Sequence, residues 1–85
     1  MSGLTADIIG IVGSVLFISA FAYANVAKEL NKLWFNVANL IGAILLLISL
    51  SVHFNLAAVM LEIAWAVIAV AGIVMALRAR NQPKL

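Results

Sequence analysis

The chain has 85 residues, of which 67% are hydrophobic and 9% charged, with a formal net charge of +2 and no cysteine. Globular proteins are about 45–50% apolar and about a quarter charged, and a soluble domain of this size buries only about 60% of its unfolded surface. A water-soluble fold is therefore excluded, and a lipid bilayer is the predicted solvent. The lack of cysteine also excludes disulfides, thiol catalysis and cysteine-based metal sites.

Three apolar segments are each long enough to cross a bilayer, which takes about 20 residues of helix. In chain order they cover residues 7–27, 33–52 and 56–77. The segment before the first one lacks the basic region of a signal peptide, so we expect all three to remain as membrane helices. Their short connectors require antiparallel neighbours. The sequence predicts an all-α, three-transmembrane-helix bundle over residues 1–80, arranged up-down-up, followed by a cytoplasmic tail, residues 81–85.

All five basic residues are predicted to lie on one side of the membrane. They are Lys28, Lys32, Arg78, Arg80 and Lys84. The positive-inside rule then places the N-terminus outside and the C-terminus in the cytoplasm, in a bacterial inner (plasma) membrane. Binding of anionic lipid by the RARNQPK tail is the alternative explanation, although it usually takes more basic residues. Nucleic acid is not a predicted partner.

Small and polar residues recur at helical spacing in each segment and predict the faces that meet. Close packing of small residues and hydrogen bonds hold helices together in lipid. The first helix offers Gly10, Gly13, Ser14, Ala20 and Ala24; the second offers Asn36, Asn39, Gly42 and Ala43; the third offers Glu62, Ala66, Ala69 and Gly72. We expect these stripes to face protein and the Leu/Ile/Val stripes to face lipid.

Counted by depth, the polar side chains fall into two predicted layers. Ser14, Ser49 and Glu62 share an outer layer, about 9 Å below the outer surface by helix rise. Asn36 and Asn39 belong to an inner layer, where they either bond neighbouring helices, the favoured interpretation, or line a polar ligand site. Trp65 lies deep enough to serve as a packing or a stacking surface. These six residues are the candidate ligand-binding or pathway residues.

Glu62 is the most informative of them because no basic residue lies within eight positions of it. An ionised carboxylate at this depth costs about 2.5–3.5 kcal/mol. Glu62 could be protonated, could face a water-filled cavity, or could accept hydrogen bonds from Ser14, Ser49, Trp65 or a second subunit. Two roles remain open: a structural contact between helices, and a substrate contact or proton carrier.

A recognisable pattern runs through the second and third helices: LWFNVANLIG at residues 33–42, then Ser49, then Glu62-Ile63-Ala64-Trp65, and Gly72. It resembles the CBU-type family of small three-span bacterial membrane domains, which has a comparable N-x-x-G in helix two and N-x-x-W in helix three. The chain departs from that pattern in having Glu62 where the family has asparagine. The resemblance, over about residues 8–80, implies a permease-like membrane protein.

A more distant architectural likeness is to the half-transporters of the SWEET type. These also have three helices and an outside N-terminus, with a Trp and an Asn lining a sugar site at a dimer interface. Trp65 and Asn39 would be the nearest analogues here. The Pro-Gln of the first helix of those transporters is absent from this chain.

No catalytic motif is present: phosphate loops, HExxH, paired carboxylates and nucleophile–histidine pairs are all missing, so an enzyme is not predicted. We predict no cofactor and no metal site, and we expect the lone His53 to be a solvated turn residue. The predicted function is permease-like transport of a small polar solute or proton by a homo-oligomer, most simply a homodimer. A non-transporting accessory or assembly subunit of the membrane is the alternative.

Overall fold

The computed structural model describes residues 1–81, and all regular structure in that range is helical. Helix α1 spans Gly3–Val26, α2 spans Lys32–Leu50 and α3 spans Leu56–Asn81. All three are long and apolar enough to cross a membrane. The predicted all-α bundle of three membrane helices is confirmed. Most of the predicted tail, residues 82–85, lies outside the described residues.

Polar side chains fix where the helices begin. Ser2 Oγ accepts a hydrogen bond from Thr5 N at 3.1 Å, and Asn31 Oδ1 accepts one from Trp34 N at 3.2 Å. An N-cap of this kind satisfies one of the backbone N–H groups that the first turn leaves free. The cap at Ser2 explains why α1 begins before the predicted residue 7. At the other end of the chain α3 continues past residue 77 through arginines, which are good helix formers.

Glycine allows α1 and α2 to pack with their backbones in near contact. A Cβ atom added to Gly13 would lie 2.9 Å from the carbonyl oxygen of Gly42, and one added to Gly42 would lie 3.2 Å from the carbonyl oxygen of Gly13. Towards the α2–α3 connector, Ser49 packs over Gly10 in the same way, with its Oγ 2.7 Å from the added Cβ position. These pairs run in opposite directions along the two helices, which makes α1 and α2 antiparallel.

Helix α2 also packs against α3 through a small residue. The Asn36 side chain lies where a Cβ atom on Gly72 would be, and Ala69 is buried one turn away. Within residues 1–81, no Cα atom of α1 lies within 8 Å of one in α3, so α2 is the central helix. Two phenylalanines of α1, Phe17 and Phe21, nevertheless reach the Trp65 ring of α3. Between α1 and α3 there is consequently a groove with α2 at its base, here called the central groove.

The remaining surfaces of the helices are apolar. Exposed side chains include Ile11, Val15 and Ile18 of α1, Ile41, Ile44 and Ile48 of α2, and Val67, Val70 and Val74 of α3. In water such a surface would drive aggregation, whereas in a bilayer it matches the acyl chains. The few buried residues are mainly small, as expected where helices associate by close packing in lipid.

A side-chain contact joins the α2–α3 connector to the start of α1. His53 Nε2 lies 2.9 Å from Asp7 Oδ1, so His53, an exposed residue of the connector as the sequence predicts, also contacts α1. Both side chains are about half exposed, and exposed pairs contribute only about 0–1 kcal/mol. We therefore expect His53→Gln to change the free energy of unfolding in detergent by less than about 1 kcal/mol. A larger loss that persists at high salt would contradict this weak, screened interaction.

Candidate functional site

The central groove holds two recesses of about 200 Å³ each, separated by an aromatic cluster. The ring centroids of Phe21 and Trp65 are 6.0 Å apart, and those of Phe17 and Trp65 are 6.4 Å apart in an edge-to-face arrangement. Phe21 and Trp65 line both recesses. Trp65 thereby packs against both phenylalanines and contributes a wall to each recess.

Asparagines of α2 line the recess nearer the α1–α2 connector, here called the inner recess. Asn36 and Asn39 face it together with Phe35 and Ala69. The Nδ2 of Asn36 donates to the Lys32 carbonyl oxygen at 2.8 Å, so this amide is held by its own helix. The three-residue spacing of the two asparagines places them on one face of α2, as the sequence predicts.

Asn39 is the buried polar residue of this recess, with only 4% of its surface exposed. Its Oδ1 has no hydrogen-bond partner among residues 1–81. A buried acceptor without a partner costs about 1–3 kcal/mol, so such atoms are rare unless something else binds them. Asn39 Oδ1 is thus an acceptor without a partner that lies beneath the surface of the inner recess.

Glu62 lines the other, outer recess, next to Phe17, Leu61 and Trp65. Its Oε2 is buried and has no hydrogen-bond partner within the described part of the chain. The groove therefore contains a second acceptor without a partner, on the opposite side of the Trp65 ring from the asparagines. A carboxyl group and an amide oxygen separated by an indole ring suit a ligand that forms hydrogen bonds.

The two serines predicted for the outer layer are not part of this recess. Ser14 Oγ donates to the Gly10 carbonyl oxygen at 2.9 Å, and Ser49 packs over Gly10. Ser49 therefore lies at the contact between α1 and α2, and Ser14 is bonded within α1, whereas Glu62 of α3 lines a recess with the phenylalanines of α1. The hydrogen bonds predicted from Ser14 and Ser49 to Glu62 do not form within one protomer. The structure places these serines and Glu62 on different sides of the bundle, and their common depth in the membrane stays a prediction.

Phe17 and Phe21 are the residues of the groove that sequence reasoning missed. They are four positions apart on α1, so they lie on one face, next to the small residues Gly13 and Ala20 that pack against α2. The sequence pattern that could have identified them is an aromatic pair at this spacing beside a stripe of small residues. It indicates side chains that reach past the neighbouring helix to the next one.

No group of three histidine, cysteine or acidic residues that could hold a metal ion occurs in residues 1–81. The side chains that line the groove offer hydrogen bonding, aromatic stacking and one ionisable carboxyl group.

A family model matches residues 6–80, which is nearly the whole chain and includes the asparagines, Glu62 and Trp65. The chain belongs to the CBU-type family of small three-helix proteins. Membership in this family, together with three helices long and apolar enough to span a bilayer, makes it a membrane protein. No curated protein and no solved structure gives a significant match to the chain. The permease-like role and the likeness to SWEET-type half-transporters stay predictions.

Proposed function

We propose that the protein is a permease-like transporter of a small polar solute that acts as a homodimer, with the central groove of each protomer forming half of the solute site. The observation that carries this proposal is the pair of buried acceptors without partners, Asn39 Oδ1 and Glu62 Oε2. In a membrane protein, a groove that holds an ionisable residue is a candidate pathway, because ionisable residues within membrane segments usually serve function.

The chemistry of the groove favours a solute with several hydrogen-bond donors. Both unpaired atoms are acceptors, and Trp65 between them offers an aromatic face. A hydroxyl-rich solute would donate to the amide and carboxyl oxygens while its C–H face lies on the indole. A small amine would do the same with a favourable charge at Glu62. A solute with acceptors only would leave both oxygens unsatisfied, which costs about 1–3 kcal/mol for each.

The size of the recesses supports a dimer. Each is about 200 Å³, whereas sites that enclose a small-molecule ligand usually measure about 300–1,000 Å³. Three helices with one open groove do not surround a pathway, but two copies related by an axis along the membrane normal would. Six-span transporters are often built from two such parallel halves. We propose an outside N-terminus and a cytoplasmic C-terminus in a bacterial inner membrane, on the basis of the basic residues.

An accessory or assembly subunit is the second proposal, and the same two oxygens favour it. A helix from another membrane protein could donate hydrogen bonds to Asn39 and Glu62 and cover the groove. In that case the unpaired acceptors mark a protein contact, and the purified protein alone would move no solute.

Solute uptake into proteoliposomes tests the proposal. We expect the full chain to take up a hydroxyl-rich or amine solute. Uptake should fall about tenfold or more in Asn39→Leu, because leucine removes the buried acceptor while keeping a side chain of similar size. Asn25→Leu is the matched control. Asn25 is exposed and donates to the Phe21 carbonyl oxygen of its own helix at 2.8 Å, so its loss should leave uptake unchanged.

Two results would decide against the proposal, one against transport itself and one against the central groove as the solute site. Absence of uptake for hydroxyl-rich, amine and acceptor-only solutes would refute the permease and favour the accessory subunit. Equal losses in Asn39→Leu and Asn25→Leu would show that the groove has no special part in uptake. Counting labelled subunits by single-molecule photobleaching in the same vesicles tests the dimer separately, with two bleaching steps expected.

A further inference from the structure

The end of the bundle that holds the α1–α2 connector carries a basic recess separate from the central groove. Its volume is about 490 Å³, and two cationic side chains line it: Lys32 at the start of α2 and Arg80 near the end of α3. They come from different helices, α2 and α3, and are 48 positions apart in sequence. Their convergence is therefore a product of the fold and not of a local run of charge.

Among residues 1–81, no acidic side chain lines the recess beside these two cations. Of the three acidic residues, Asp7 pairs with His53 at the other end of the bundle, Glu62 lies in the central groove, and Glu29 belongs to the connector without lining the recess. Arg80 and Lys32 are therefore the charged side chains that line the recess. The first turn of α2 contributes the positive end of its helix dipole and the last turn of α3 the negative end of its own, so the two side chains carry the positive charge of the recess.

An apolar groove adjoins the basic recess and runs away from it between α1 and α2. Its volume is about 360 Å³, and its lining is almost entirely hydrocarbon, including Leu16, Ala20 and Ala38. Trp34 lines both this groove and the basic recess, and 66% of its surface is exposed. One tryptophan therefore joins a cationic cavity at the end of the bundle to an apolar channel that extends deeper along the helices.

We infer that these two adjoining cavities bind one anionic phospholipid, with the headgroup phosphate between Lys32 and Arg80 and an acyl chain in the groove beside Trp34. The three parts follow the order of such a lipid: the basic recess suits the phosphate, Trp34 suits the interface, and the apolar groove suits the acyl chain. Tryptophan favours the level of the headgroups, which places the boundary of the bilayer between the two cavities. This inference rests on residence in a membrane and holds whether or not the protein transports a solute.

Fluorescence quenching by brominated lipid tests the inference in nanodiscs. Trp65→Phe in the full chain leaves Trp34 as the only tryptophan, and bromine on the acyl chain quenches an indole that it contacts. At a low mole fraction, brominated phosphatidylglycerol should quench Trp34 more than brominated phosphatidylcholine does. Lys32→Gln with Arg80→Gln should raise the phosphatidylglycerol fraction needed for half-quenching about tenfold, since each basic contact with anionic lipid contributes several-fold.

Lys28→Gln with Arg78→Gln is the matched control, because it removes the same charge at the same end from residues that do not line the recess. This pair should retain the preference for phosphatidylglycerol. If both double variants lose this preference equally, general surface charge accounts for it, and the site is overturned. Equal quenching of wild type by the two lipids would overturn it as well.

Two further measurements keep the test decisive. If the double variant at Lys32 and Arg80 loses helicity, added salt on the unmutated pair should release phosphatidylglycerol to the level of phosphatidylcholine; no effect of salt would count against a charged headgroup contact. Inorganic phosphate is the last probe. Sodium chloride at equal ionic strength is its control: displacement of the brominated lipid by phosphate at a far lower ionic strength than chloride needs would show a site for the free anion and overturn the joint headgroup and chain site.

Discussion

Gly13→Leu is expected to separate α1 from α2 and to lower the free energy of unfolding by about 3 kcal/mol, the upper range for overpacking a close contact. The first carbon of the new side chain alone would lie 2.9 Å from the Gly42 carbonyl oxygen and 3.1 Å from Leu45 Cβ. A backbone oxygen in the middle of a helix has no rotamer to change. The helices must therefore move apart, which removes the close packing that holds them together in lipid.

Unfolding in a mixture of mild detergent and sodium dodecyl sulfate, followed by tryptophan emission, measures this loss. Ala22→Leu is the control, since Ala22 is on α1 but exposed, and its leucine should leave stability within about 0.5 kcal/mol. Gly72→Ala is an informative intermediate: its Cβ would meet the end of the Asn36 side chain, which can rotate where a carbonyl cannot. If Gly13→Leu proves as stable as Ala22→Leu, the helices do not cross at Gly13 and Gly42.

The number and type of the elements follow from composition because lipid leaves few choices. Backbone polar groups in hydrocarbon must be paired within the segment, so a long apolar run with polar ends becomes a helix. The stripes of small residues then indicate which faces approach closely, and Gly13, Gly42 and Gly72 do lie at helix contacts. Helix ends were harder to predict, because caps such as Ser2 lie outside the apolar run.

What the sequence did not determine is which neighbour each face meets. One residue along a helix changes direction by about 100°, so depth fixes a layer but not a side of the bundle. Ser14 and Glu62 are at similar depth by count, yet Ser14 bonds Gly10 on α1 while Glu62 faces the aromatic cluster. Phe17 and Phe21 cross to Trp65 where α2 is narrow at Gly42. This crossing depends on all three helices together and cannot be predicted from one segment.

Glu62→Gln has the largest expected effect on the proposed transport. The amide keeps the shape of the side chain and one acceptor oxygen, but it carries neither charge nor a transferable proton. Hydrogen bonds to a charged group contribute about 1.5–3 kcal/mol, so uptake of an amine or hydroxyl-rich solute should fall at least about tenfold. If Glu62 also carries the coupled proton, the variant should lose the dependence of uptake on the pH gradient. Proteoliposome uptake at several imposed gradients measures both effects.

Glu29→Gln is the matched control, because it removes the same kind of charge from the connector, outside the central groove. It should retain both the rate and its pH dependence. Asn39→Leu should lower the rate and keep the pH dependence, since an amide does not titrate. If Glu62→Gln instead leaves uptake unchanged but lowers the fraction of dimers, Glu62 is a contact between subunits, and the acceptor without a partner in one protomer is satisfied by the second copy.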